Sequence, residues 1–343
     1  MELGEFPLPW QRPLWARLQE QASTDRLPHA LLLCGPEGLG KRGFADRLAQ
    51  MLLCRSPVGD GPETRRPCDS CRDCEPYRAG AHPDRIRIAP EAPDKPLRVE
   101  PIRELTGFLT RTGRSERGKV ALIEAAERMN VNAANALLKS LEEPPPGSLL
   151  LLISVCPEQL PATVRSRCQR LPFFPPPRTD ALPWLRQHLD EESAAEVLLE
   201  LARGRPLAAL DLASSGGLEE RQARFAEFRA LLAGELAPAE FAARWSGPDT
   251  ARWLDWLLGW QQDMIRLKMC PGVRSHLSHP DLAAELAEEA ERHPAWMHFR
   301  RLDELDGLRG LVGTSINQVL QLEVFAAGLM TGPDSTTTQG SFR

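Results

Sequence analysis

Four cysteines have spacing that could do chemistry. Cys68, Cys71 and Cys74 form a C-x-x-C-x-x-C run, and Cys54 precedes them. Two-residue gaps let neighbouring thiolates converge on one ion, and four of them suit tetrahedral zinc. The segment between, RSPVGDGPETRRP, is long and turn-rich enough to bring the chain back. The plainer alternative is a set of unrelated reduced thiols, but three cysteines at this spacing rarely serve packing alone. Four cysteine ligands would leave no open coordination position, so such a zinc would be structural. Cys34, Cys156, Cys168 and Cys270 sit in or beside apolar stretches and read as small buried residues.

A second group lies in CGPEGLGKRG. Gly35, Gly40 and Lys41 have the G-x-x-x-x-G-K spacing of a phosphate-binding loop. Backbone N–H groups and the start of the following helix suit a bound phosphate there. The next position, where a hydroxyl would hold magnesium, is Arg42. A companion strand, VALIEAAERM, would supply a metal-binding Asp and then a Glu to prime water. Those positions are Glu124 and Ala125. Without a positioned base, phosphoryl transfer loses a main catalytic element. Lys41 could still hold a phosphate, so binding without turnover stays open.

A third group is basic. TVRSRCQRLPF carries Arg165, Arg167 and Arg170. A solvated turn is one reading. The other is an arginine finger, a planar cation offered to a neighbouring subunit's γ-phosphate.

These residues need a scaffold with strands ending in loops. Residues 29–34, 85–88, 119–123 and 149–155 are short apolar or alternating runs separated by helical patterns at 40–53 and around Ile102, Leu105 and Leu109. Continuous apolar runs imply strands covered on both faces, and the alternation implies a parallel α/β sheet. In SLEEPPP the helix before it carries Ala133, Ala134, Leu137, Leu138 and Leu141, with Asn130 or Asn132 able to cap its start. Lys139, Glu142 and Glu143 read as a solvated face. Pro175, Pro176 and Pro177 break the pattern, and beyond them nearly everything is helical. The expected organisation is a P-loop domain over 1–175 with a zinc module at 54–74. A helical lid follows over 176–215, then an all-α collar over 216–330 and a flexible tail over 331–343. Trp253, Trp256 and Trp260 recur at helical spacing and suit packing. A final helix over 314–329 would bear a Ser315–Gln318 capping box and an apolar face of Ile316, Leu320, Val324 and Phe325.

Composition narrows the class. The 343 residues are 42% hydrophobic and 26% charged, with net charge −5, which is ordinary for a globular protein and unlike a basic nucleic-acid coat. No apolar run is long enough for a membrane span, and MELGEFPLPW lacks the layout of a secretory leader. A cytoplasmic location is expected.

The stretch GKVALIEAAERMNVNAANALLKSLEEPPPGSLLLLISVCPEQLPATVRSRCQRLPF resembles the clamp-loader branch of the AAA+ proteins, with NAANALLKSLEEPP and SRC as its most specific signatures. AHPD at 81–84 and the cysteine module extend the resemblance through the P-loop domain. The resemblance implies an AAA+ domain followed by lid and collar domains. It implies a five-subunit ring, with gamma or tau and delta subunits as partners, that loads the sliding clamp onto primed DNA for DNA polymerase III. It implies that Arg167, in the SRC motif, serves as finger to a neighbouring motor subunit. The lid arginine that senses nucleotide in the family's motors falls at Leu207. Arg42, Glu124, Ala125 and Leu207 together imply a non-hydrolysing subunit, with no membrane partner. The alternative is a motor ATPase of gamma or tau type, for which the retained Gly35, Gly40 and Lys41 speak. By the same resemblance, Lys139 lies near the path of DNA and becomes a candidate backbone contact.

Overall fold

The structure, a computed structural model, describes residues 6–92, 95–111, 118–189, 194–270, 272, 277–312 and 316–330. It divides into two compact units: Met1–Gln187 with Gly204–Ala208, and His188–Arg203 with Ala209–Arg343. The first unit runs α1 (Arg12–Ser23), β1 (Ala30–Cys34), α2 (Lys41–Leu53), α3 (Cys74–Arg78), β2 (Arg85–Ile88) and α4 (Val99–Thr110). It continues with β3 (Lys119–Ile123), α5 (Val131–Glu142), β4 (Ser148–Ser154), α6 (Ala162–Arg165), β5 (Gln169–Pro172) and α7 (Arg178–His188).

The five strands form one sheet in the order β2-β3-β4-β1-β5, and each neighbouring pair is parallel. Side chains alternate across a strand, and here both sides are covered. Leu31, Leu33, Leu122 and Leu151 pack on one face with Trp15 and Leu18 of α1 and Phe44 and Leu48 of α2. Leu32, Ala121, Ile123, Leu150 and Leu152 pack on the other with Ile102, Leu105 and Leu109 of α4 and Leu137 and Leu141 of α5. This two-sided burial explains the unbroken apolar runs. Asn130 caps α5, its Oδ1 accepting the Ala133 N–H at 2.8 Å.

The second unit is helical: α8 (Ala195–Leu201), α9 (Pro206–Ser214), α10 (Gly217–Leu232), α11 (Pro238–Arg244), α12 (Thr250–Met269), α13 (Ala283–Glu291), α14 (Ala295–Leu311) and α15 (Gln318–Met330). The first residues of α9 belong to the first unit. Trp253, Trp256 and Trp260 all enter the core of the second unit, with Trp260 packed on Phe225 and Phe228. Among the described residues no helix is long and apolar enough to cross a membrane.

Two details of the sequence reading change. The last helix begins at Gln318 rather than 314, so Ile316 precedes it; its buried side is Leu322, Phe325, Ala326 and Leu329, whereas Ile316, Leu320 and Val324 are exposed. The helix is apolar nearly all round, so its periodicity does not choose a face. Cys34 and Cys168 are buried as expected, but Cys156 and Cys270 are exposed: Cys156 lies in the loop after β4, and Cys270 follows the end of α12. The Ser315 cap and the tail over 331–343 lie outside the described residues.

Phe44 is fully buried and meets Trp15 and Phe173 edge-on, at centroid distances of 5.5 and 5.4 Å. Phe44→Ala is expected to cost about 3–5 kcal/mol, the range for emptying an aromatic core position. Urea unfolding measures it, and a loss below about 1 kcal/mol, ordinary for any substitution, would contradict this packing.

Candidate functional site

The glycine loop leaves the C-terminal end of β1 and enters α2, the edge where open α/β sheets place ligands. Gly38 and Gly40 have φ of 78° and 82°, so both sit in the left-handed region that favours glycine. Neighbours also forbid a side chain. A Cβ on Gly38 would lie 2.4 Å from Ala208 Cβ, and one on Gly40 would lie 2.6 Å from Gln11 Nε2. Gln11 donates to the Leu39 carbonyl at 3.0 Å, and the Leu207 N–H donates to the Gly38 carbonyl at 3.2 Å. The loop is therefore clasped by its own chain, with Leu207 and Ala208 against it.

Lys41 is only 5% exposed, and its ammonium donates to the Pro36 carbonyl at 2.6 Å. Burial lowers its pKa, while the Glu37 and Glu127 carboxylates act in the opposite sense.

Arg42 and Glu124 meet. Arg42 Nε lies 3.2 Å from Glu124 Oε1, and Arg87 Nε lies 2.6 Å from the same oxygen. Glu124 follows β3 and Arg87 lies on the neighbouring β2, so strand pairing brings them together. One carboxylate thus faces two guanidinium groups, whose positive charge favours its ionised form. Ala125 offers a methyl group and sits in a left-handed conformation, φ 48°. Arg87 carries no motif, and the only sequence signal for it is the charge placed on a strand beside VALIE. Ser154, at the end of β4, was likewise silent in sequence. Its hydroxyl is buried and has no hydrogen-bond partner among the described residues.

The basic turn lies elsewhere. Arg167 Nη2 is 2.6 Å from Glu142 Oε1, and Nη1 donates to the Thr163 carbonyl at 3.0 Å. Glu142 ends α5, and the Leu141 carbonyl beside it accepts from His29 Nε2 at 3.1 Å. His29 precedes β1, so this contact places Arg167 at the N-terminal edge of the sheet, opposite the loop. The six steps from His29 to Gly35 correspond to roughly 20 Å at ~3.3 Å per strand residue. Arg165 donates to the Pro157 carbonyl at 3.4 Å, and Arg170 is exposed on β5. Glu142 is thus not merely part of a solvated face.

The cysteines converge between α2 and α3. Cys54 ends α2, Cys74 opens α3, and a Val58–Arg66 antiparallel bridge turns the intervening chain back. All four sulfurs lie within 4.8 Å of one another, with Cys54–Cys68 at 3.6 Å and Cys68–Cys74 at 4.0 Å. A tetrahedron of ~2.3 Å metal–sulfur bonds has edges of ~3.8 Å. The cluster therefore fits a metal ion. Burial pushes the Cys71 thiol up, but backbone N–H groups of Arg55, Cys74 and Asp73 outweigh it and bring the thiol to about 6. Burial instead raises the Cys54 and Cys74 thiols, so of these three it is at Cys71 that the thiolate, the form that ligates, is favoured.

Comparison with known proteins adds to this geometry. A family profile described as DNA polymerase III, delta subunit, matches residues 10–177. The chain is 40% identical over 263 residues to DNA polymerase III subunit delta' of Pseudomonas aeruginosa, covering 76% of this chain and 78% of that one. It is 36% identical over 215 residues to subunit delta' of Escherichia coli, covering 62% and 63%. It is 26% identical over 323 residues to subunit tau of Bacillus subtilis, covering 86% of this chain and 56% of that one.

Glu124→Gln should lower stability by about 1–3 kcal/mol, the scale for losing a charged hydrogen bond and leaving cations unpaired. Denaturant unfolding would read this, and in an Arg87→Gln background the same change should cost less because the partners are coupled. Equal costs in both backgrounds would show that the pair is not coupled.

Proposed function

We propose, from the premise that this chain belongs to the DNA polymerase III subunit delta' family, that it is a non-hydrolysing subunit of the clamp loader. In this reading it has an AAA+ domain, a lid and a collar. It joins gamma or tau and delta subunits in a ring that places the sliding clamp on primed DNA. Its Arg167 reaches the ATP site of a neighbouring motor subunit and stabilises charge developing on the γ-phosphate.

The observation that carries this reading is the separation of Arg167 from its own glycine loop. They lie at opposite edges of one parallel sheet, so the guanidinium is out of reach of any phosphate bound at Lys41 in the same chain. An arginine so placed is useful to a phosphate only across a subunit boundary. The Arg42–Glu124–Arg87 cluster and Ala125 support the lack of turnover. The intact Gly35, Gly40 and Lys41 and the likeness to a tau subunit favour a motor instead, but a motor needs a metal site and a base. The exposed Ile316, just before α15, and Leu320 and Val324 on it support a partner-facing role for the C-terminal helices.

For Cys54, Cys68, Cys71 and Cys74 we propose structural zinc. A four-thiolate shell closes the ion and ties the end of α2 to α3. It would contribute folding stability and no step of a reaction.

Two outcomes are expected. The isolated chain shows no magnesium-dependent ATP turnover above background, while Arg167→Ala lowers the ATPase rate of the ring reconstituted with motor and delta subunits. A finger is worth ~10³-fold or more at the site it serves. Brisk phosphate release from the isolated chain would favour the motor reading, and an unaltered ring rate in the mutant would remove the finger. Elemental analysis of the purified chain should find about one zinc per chain, the stoichiometry of a four-cysteine site. Cys71→Ser should lose the metal and unfold at lower temperature, and a metal-free wild-type protein of undiminished stability would contradict the assignment.

A further inference from the structure

We propose that Glu142 is a positioning residue for Arg167. This rests on the finger reading above and extends it to a second side chain. Arginine is long and carries substantial rotamer freedom, and ordering it at the moment of reaction opposes catalysis. Arg167 follows a helix of only four residues, α6, which gives its side chain little support. Two contacts supply that support from outside. The Thr163 carbonyl accepts from Nη1 at 3.0 Å, and the Glu142 carboxylate lies 2.6 Å from Nη2. A guanidinium has five N–H donors, so both contacts together leave donors for a phosphate.

The placement of Glu142 points the same way. It is the last residue of α5, where the helix dipole is negative and a carboxylate is unfavourable. Local helix energetics therefore do not account for the acid. The ion pair does, because the guanidinium neutralises it. Glu142 is also well fixed at its backbone: α5 is capped at Asn130 and buries Leu137 and Leu141 on the sheet. His29 at the start of β1 holds the Leu141 carbonyl next to it. The carboxylate thus stands on a rigid element, whereas the arginine does not. Pairing transfers the order of the sheet to the guanidinium.

Glu142 touches no substrate in this proposal and acts only through Arg167. The test is a double-mutant cycle on the ATPase of the reconstituted ring. Glu142→Ala should lower kcat by a factor on the order of 2 to 150, the span of coupling between residues in contact. KM for ATP should stay within about twofold, because the finger acts in the transition state. Glu142→Gln, which keeps length and an acceptor oxygen, should retain an intermediate rate. The Glu142→Ala/Arg167→Ala ring should be no slower than the Arg167→Ala ring, because without the arginine there is nothing left to position. Assembly of each ring is checked by size-exclusion chromatography, so a folding defect is seen directly. If Arg167→Ala is slow but both Glu142 variants run at the wild-type rate, the positioning role fails and the finger stands. A Glu142→Ala loss that multiplies in full onto Arg167→Ala also overturns it. If Arg167→Ala itself is normal, the finger reading falls, and the role of Glu142 with it.

Discussion

All strands of the sheet run one way, and the placement of the functional groups depends on that polarity. A parallel sheet has two chemically different edges, one where strands end and one where they begin. The glycine loop and Glu124 leave the ends of β1 and β3. Arg167 stands just before β5, beside the end of α5, at the opposite edge. Both faces of the sheet are covered by apolar helices, so the edges are where polar groups can gather.

At the loop edge, two guanidinium groups gather on one carboxylate. A metal-bearing loop has a hydroxyl and an acid that share a divalent cation. Here Arg42 and Arg87 share the acid instead. The arrangement is self-consistent, since a half-buried carboxylate benefits from partners and the two guanidinium groups supply them. Leu207 and Ala208 complete the enclosure by packing on the loop that a nucleotide would cover. The loop keeps its left-handed glycines because the clasp needs the close approach, whatever becomes of the phosphate.

The cysteine module solves a separate problem. The chain from α2 to β2 must cross to the far edge of the sheet, through a segment rich in Gly and Pro with few apolar residues. Such a segment cannot build a core of its own. Four convergent sulfurs offer a local anchor, and Trp15 helps by donating its indole N–H to the Arg65 carbonyl at 2.8 Å.

The amino-acid sequence by itself determined four of the five strands of the first unit, β1 to β4 but not the short β5, together with the helix after the glycine loop, a cap at Asn130 or Asn132 and the grouping of the cysteines. Each of these is written in local terms: an apolar run, a capping side chain, a two-residue ligand gap. Tertiary structure alone decided which partners distant charges found. Arg87 meets Glu124 because β2 lies beside β3, and Glu142 meets Arg167 because the end of α5 and the approach to β5 share an edge. It also chose the buried side of α15, where an almost wholly apolar helix offers no period to read. The reason is common to all three: long-range pairing follows from strand order and packing, and neither is encoded in the spacing of any short stretch.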